Sequence, residues 1–189
     1  MKYKLKDVKE FLKQSNLIER EESDQAMKDA MVAWKYANER TRSITTNVIL
    51  GIHKRLCKNI DPEIAGKFRQ QPVYIGFEKK PFISDELLLE KIKDWVKTFV
   101  GRELYMTDED CEKICKDCHL AFEGIHPFLD GNGRTGRILY NVQRFRMGLP
   151  IHIIHTGWEQ YNYYQAFDYR HKNPFTRGKK DVAFWDVIK

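Results

Sequence analysis

Apolar residues recur at helical spacing along most of this chain. Over residues 4–14, Leu5, Val8, Phe11 and Leu12 share one face, and Ser15 is a candidate N-cap for a second short helix. The period continues over 23–39, with Met27, Ala30, Met31, Trp34 and Tyr36 partly along one stripe. It returns over 44–58 with Val48, Ile49, Ile52 and Leu56, until Asp61-Pro62 breaks it. Residues 66–83 read differently. Gly66 and Pro72 punctuate, Val73-Tyr74-Ile75-Gly76-Phe77 is β-prone, and Lys79-Lys80-Pro81 reads as a turn, so a small β-hairpin is expected. Ser84 starts a helix with Asp85 and Glu86 in its first turn. Thr107 and Asp110 resemble a capping box with Asp in place of Glu, opening a helix that runs to about Glu123 and ends at Gly124. A loop over 125–133 leads to a helix near 134–147, stopped by Gly148-Leu149-Pro150. Further helices fit 159–169 and 181–188. The expected class is all-α with one small hairpin.

Composition narrows this only slightly. A chain of 189 residues with 42% hydrophobic and 32% charged positions suits one globular domain and excludes a disordered one. The net charge of +6 comes from scattered Lys and Arg, which reads as a solvated basic surface, with no nucleic acid expected as partner. No apolar run approaches the ~18 residues of a membrane span, and no apolar leader follows the charged N-terminus. The four cysteines, Cys57, Cys111, Cys115 and Cys118, are then expected reduced, in a cytoplasmic protein.

Candidate chemistry concentrates in His126-Pro-Phe-Leu-Asp-Gly-Asn-Gly-Arg-Thr-Gly-Arg137. Gly131 and Gly133 flank Asn132 just before a helix. Glycines let backbone N–H groups turn toward one point, and the helix N-terminus adds a positive dipole end, so the two together suit a phosphate. Arg134 and Arg137 are neighbours on one helical face, and guanidinium forks grip phosphate oxygens. Asp130 is a hard oxygen ligand suited to Mg²⁺, and His126 is a candidate proton acceptor near neutral pH.

This stretch resembles the motif of the Fic family, His-x-Phe-x-(Asp/Glu)-Gly-Asn-Gly-Arg-x-x-Arg, at every specified position. The resemblance implies a Fic helical bundle over 1–189, with an N-terminal inhibitory segment over 1–40 and the core over 41–189. It implies protein adenylyl transfer: AMP passes from ATP, with Mg²⁺, to a Ser, Thr or Tyr hydroxyl of a protein. His126 would be the general base and Asp130 would hold Mg²⁺. Gly131, Asn132 and Gly133 would hold the α-phosphate, and Arg134 and Arg137 the β- and γ-phosphates, with Thr135 and Gly136 in the same nucleotide-binding run. Phe128 would anchor the loop in the core. The stretch from Gly66 to Gly76 is similar to the family's flap, whose Val73, Tyr74, Ile75 and Gly76 would lie over the nucleotide and align an extended target segment by strand addition. Tyr163 and Tyr164 look like the family's adenine contacts, although an aromatic stripe on a helix is more often core. His171 falls where relatives have a polar nucleotide contact.

Ser15-Asn-Leu-Ile-Glu19-Arg20 resembles the inhibitory motif (Ser/Thr)-x-x-x-Glu-(Gly/Asn) of the same family. Glu19 would pair with Arg137 and misplace the nucleotide. Arg20 departs from the pattern, which leaves the strength of inhibition open. Removal of AMP by the same site is an alternative, and so is a toxin-like or adaptor binding module; a homo-oligomer is also compatible. Cys115-Lys-Asp-Cys118-His119 matches a haem-attachment pattern but is read as part of the helix before the loop, with buried cysteines rather than a zinc site. His53, His152 and His155 are read as structural or surface residues, and Trp158 and Trp185 as core.

Overall fold

The computed structural model describes residues 3–40, 44–71, 73, 85–100 and 107–167. Seven helices run through them: α1 (Leu5–Ile18), α2 (Asp24–Asn38), α3 (Thr46–Cys57), α4 (Asp85–Val100), α5 (Asp108–Ile125), α6 (Asn132–Arg146) and α7 (Trp158–Gln165). No strand occurs among the described residues. The hairpin expected over 66–83 is not seen in its described part, residues 66–71 and 73. Tyr74, Ile75 and Gly76 lie outside the described residues, as do the expected helix over 181–188, His171 and Trp185.

Local chemistry sets several helix starts. The Ser23 hydroxyl accepts from Ala26 N–H (3.1 Å) and the Thr45 hydroxyl from Val48 N–H (3.3 Å). The capping box read from Thr107 and Asp110 is present in both directions, at 3.1 and 3.2 Å. Other boundaries moved. Ser15 caps nothing, because α1 continues through it to Ile18. Gly124 does not end α5, which runs one residue further and leaves His126 as its C-cap. Helix α6 begins two residues earlier than expected, inside the Gly-Asn-Gly run.

α6 is the axis of the bundle, packing against α1, α2, α3 and α5. Around it lie Phe11 and Leu12 of α1, Ala33 and Trp34 of α2, Ile49 and Ile52 of α3, Ile92 of α4, and Phe122 of α5. Each fully buried large side chain of this kind contributes about 1.5–3 kcal/mol. Leu5 and Trp158, expected inside, are instead exposed. Being central, α6 must bury polar residues too, and two of them tie down the chain that follows it. Asn141 clasps the His152 backbone, accepting from its N–H (2.7 Å) and donating to its carbonyl (3.1 Å). Arg144 donates to the Pro150 carbonyl (2.8 Å) and to Glu112 (2.6 Å). These bonds hold the segment that leads into α7.

Candidate active site

The loop between α5 and α6 is fixed from several sides. The Asn132 side chain accepts from Phe128 N–H and donates to the Phe128 carbonyl, both at 2.8 Å. Its amide therefore clasps the loop. Buried Arg69 donates from Nε to the His126 carbonyl (2.9 Å), and its backbone N–H donates to the Pro127 carbonyl (3.0 Å). Phe128 is fully buried, as the sequence suggested, and stacks on His53 with centroids 3.8 Å apart and planes 2° from parallel.

His53, read from the sequence as a structural or surface residue, is buried and positions the loop. Its Nδ1 accepts from Gly66 N–H (3.0 Å), so Nε2 carries the proton and donates to the Asp130 carbonyl (2.9 Å). Burial lowers its pKa to about 4, which keeps this neutral tautomer. The available signal was its place on the apolar face of α3, four residues after Ile49. Gly131 has φ 75°, and a Cβ there would meet Cys57 Sγ at 2.8 Å and His53 Nε2 at 3.2 Å. Only glycine fits this corner, for backbone and for space.

His126 is itself left-handed (φ 50°), which turns the chain sharply from α5 into the loop. Its imidazole is half-buried. Burial lowers its pKa to about 4; a hydrogen bond with the Glu123 carbonyl opposes this and the Arg69 charge adds to it. It is therefore a neutral base at pH 7. Asp130 is exposed, with its carboxylate 3.7 Å from Arg134 Nη2. Arg134 is 4% exposed and its Nε has no hydrogen-bond partner. Thr135 is fully buried in the first turn of α6. A neutral base, a hard carboxylate, a cation with unspent donors and the positive end of α6 thus meet at one mouth. Such an arrangement can take a polyphosphate and accept a proton beside it.

Arg137 faces the other way, toward α1. Its Nε donates to the Ser15 hydroxyl (2.9 Å), and its Nη2 to the Ser15 carbonyl (3.0 Å) and to Glu19 (2.7 Å). The Glu19 carboxylate lies against Gly133 so closely that a Cβ there would overlap it. Glu19 is the C-cap of α1. Arg20 N–H donates to the Leu17 carbonyl (2.9 Å) and Glu21 N–H to the Asn16 carbonyl (3.0 Å), a Schellman ending. That ending places Arg20 at φ 59°, the left-handed region, which explains why glycine or asparagine suits this position.

Tyr163 is 1% exposed, and its hydroxyl is 2.9 Å from His119 Nε2. Tyr164 is half-buried beside it. Val73, in the segment between α3 and α4, is half-buried too. Cys115 and Cys118 are buried, and the Cys118 carbonyl accepts from Trp95 Nε1 (2.7 Å).

The sequence profile of the Fic/DOC family matches residues 43–143. The chain belongs to the Fic/DOC family. It is 34% identical over 127 residues to "Protein adenylyltransferase Fic" of Drosophila willistoni, a match covering 65% of this chain and 24% of that protein. It is 32% identical over 152 residues to the protein of the same name from Aedes aegypti, covering 77% of this chain and 30% of that one. The Fic chain thus spans less than a third of these relatives' length. Among solved structures, a Fic-1 fragment from C. elegans bearing a Glu-to-Gly substitution superposes with a TM-score of 0.71 at 25% identity, covering 85% of this chain and 54% of that one. A Fic domain containing signaling protein from Bacteroides thetaiotaomicron shares the fold, with a TM-score of 0.71 at 21% identity over 85% of this chain and 70% of that one. No helix among the described residues is long and apolar enough to cross a membrane.

Proposed function

We propose that this Fic protein transfers AMP from ATP to a hydroxyl of a target protein. The observation that carries the reading is the neutral His126 imidazole at the mouth shared by Asp130, Arg134 and the α6 N-terminus. His126 takes the proton of a Ser, Thr or Tyr hydroxyl as its oxygen attacks the α-phosphorus. The bond to the bridging oxygen breaks in line and diphosphate leaves. Gly131 and Gly133 supply the backbone cradle, and Arg134, joined by a released Arg137, steadies the departing phosphates. Thr135 and Gly136 complete the nucleotide-binding run, with Tyr163 and Tyr164 toward the base. Val73, Tyr74, Ile75 and Gly76 present the target strand.

The residues present fit Mg²⁺. One exposed carboxylate, Asp130, stands beside a phosphate-binding cation, and Mg²⁺ is usually held by one or two carboxylates plus substrate phosphates and water. When bound it neutralises phosphate charge, and Asp130 orients it. Glu19 is the brake: with Arg137 held on α1, the γ-phosphate loses a clamp.

The test is mass spectrometry of protein incubated with Mg²⁺, a cell lysate and ATP. Covalent AMP on a hydroxyl with diphosphate in solution supports the reading. A phosphate adduct, or release of AMP from a pre-modified target without any addition, would overturn it in favour of a kinase or an AMP-removing enzyme.

A further inference from the structure

Glu123 is a titratable residue that the reaction does not use, yet it lies deep in the site. It occupies the last turn of α5, is 7% exposed, and its Oε1 is buried with no hydrogen-bond partner. The carboxylate fills the space where residue 136 would carry a side chain, so Gly136 on α6 makes room for it. The charged and titratable groups that face it are Arg137 from α6, Glu19 from α1 and Tyr163 from α7, with His119 one turn earlier on its own helix. His119 is neutral, its pKa lowered by burial to about 3.

The hydrogen bonds of the Arg137 guanidinium to Ser15 and Glu19 go to α1, and Tyr163 on α7 pairs with it from the other side. If the end of α1 moves away, Arg137 loses its bonds to α1 together. Tyr163 is neutral, so a guanidinium this deep in the bundle is then left without a counter-charge, at a large penalty. Glu123 is the acid left beside it. We propose that Glu123 is a positioning residue for Arg137, the acceptor that takes over its charge when Glu19 releases it and before a nucleotide phosphate arrives. This rests on the reading of Glu19 as the brake.

Two carboxylates facing one arginine repel each other, so they are not ionised with equal ease. In the closed arrangement burial, reinforced by the Glu19 charge, raises Glu123 to about 8, against the pull of Arg137. The folded state then holds a proton that the unfolded chain has lost, so Glu123 costs stability progressively as pH rises from about 4.5 toward 8. When the end of α1 moves away, the Glu19 charge goes and water relieves the burial, so the pull of Arg137 prevails and an ionised Glu123 stabilises it.

A thermal-unfolding cycle without nucleotide tests this on wild type, Glu123→Gln, Glu19→Gly and the double variant, at pH 6 and pH 9. At pH 9 we expect Glu123→Gln to raise Tm in the wild-type background and lower it in the Glu19→Gly background; the first effect should shrink at pH 6 and the second should persist, because a Glu123 that stabilises the fold as its anion is ionised at both. Equal shifts in both backgrounds would mean that Glu123 only fills space and would overturn the proposal. Should Glu123→Gln fold poorly, the pH dependence of Tm is read without it: between pH 6 and pH 9 the wild type should lose more stability than Glu19→Gly, and equal losses would overturn the proposal. Because the cycle uses no ATP, it stays readable even if AMP transfer is wrong. If transfer is right, Glu19→Gly/Glu123→Gln should raise KM for ATP severalfold over Glu19→Gly with kcat little changed.

Discussion

The catalytic loop and the end of α1 meet at Arg137 but are built in opposite ways. The loop is over-determined. Arg69, Asn132 and His53 each fix different backbone groups of it, and Phe128 pins it into the main core. The last turn of α1 is held mainly by the side chain of Arg137 and by a small cluster of Ile18, Ile154 and Tyr163. The first turns of the same helix put Val8, Phe11 and Leu12 into the main core. A rigid reacting centre thus faces a latch whose root is anchored and whose tip carries a left-handed arginine. The lesson is that the latch can let go without disturbing either the loop or the body of its helix.

The largest effect should come from the rigid side. In a Glu19→Gly background, His126→Ala should reduce AMP transfer by about 10²–10⁴-fold, as for loss of a general base, with Tm nearly unchanged. With His126 intact, the acid limb of kcat/KM should fall at or below about 4, because the base must be neutral and burial holds its pKa there. A limb near pH 6.5 would show an ordinary, solvated histidine instead.

Next, His53→Ala should unmake the loop from behind. It loses the stack on Phe128 and two hydrogen bonds, to Gly66 and Asp130, and leaves a cavity. About 2–4 kcal/mol of stability should go, read by denaturant unfolding. If activity fell while stability did not, His53 would belong to the chemistry and not to the scaffold.

The smallest effect sharpens the latch. Arg20→Gly removes a left-handed strain of about 1 kcal/mol, so the Schellman ending should close more firmly and basal transfer should drop about fivefold. Arg20→Ala, equally strained at this φ, should leave basal transfer unchanged.

The sequence made the two regions legible to different depths. The helical class, the capping box at Thr107 and the burial of Phe128 followed from period and residue type. The Arg137–Glu19 contact joins residues 118 positions apart, and only the resemblance of both motifs to one family suggested it. Ser15 was misread as a cap because serine before an apolar run favours that local reading. Packing against α6 instead continues the helix and turns the hydroxyl onto Arg137. Gly124 was misread as a stop because the left-handed corner falls two residues later, on a histidine, which sequence rules rarely place there. His53 and Glu123 carried no motif, since their importance comes from what the fold stacks or buries against them.

The most direct test of the latch is labelling with ATP carrying a labelled α-phosphate, comparing wild type with Glu19→Gly. Wild type should label weakly, labelling should be about 100-fold stronger when Glu19 is gone, since the nucleotide is then free to align, and that signal should be lost on adding His126→Ala. Equal labelling of wild type and Glu19→Gly would contradict the latch, because Arg137 would then be free to hold phosphate while still bound to Glu19.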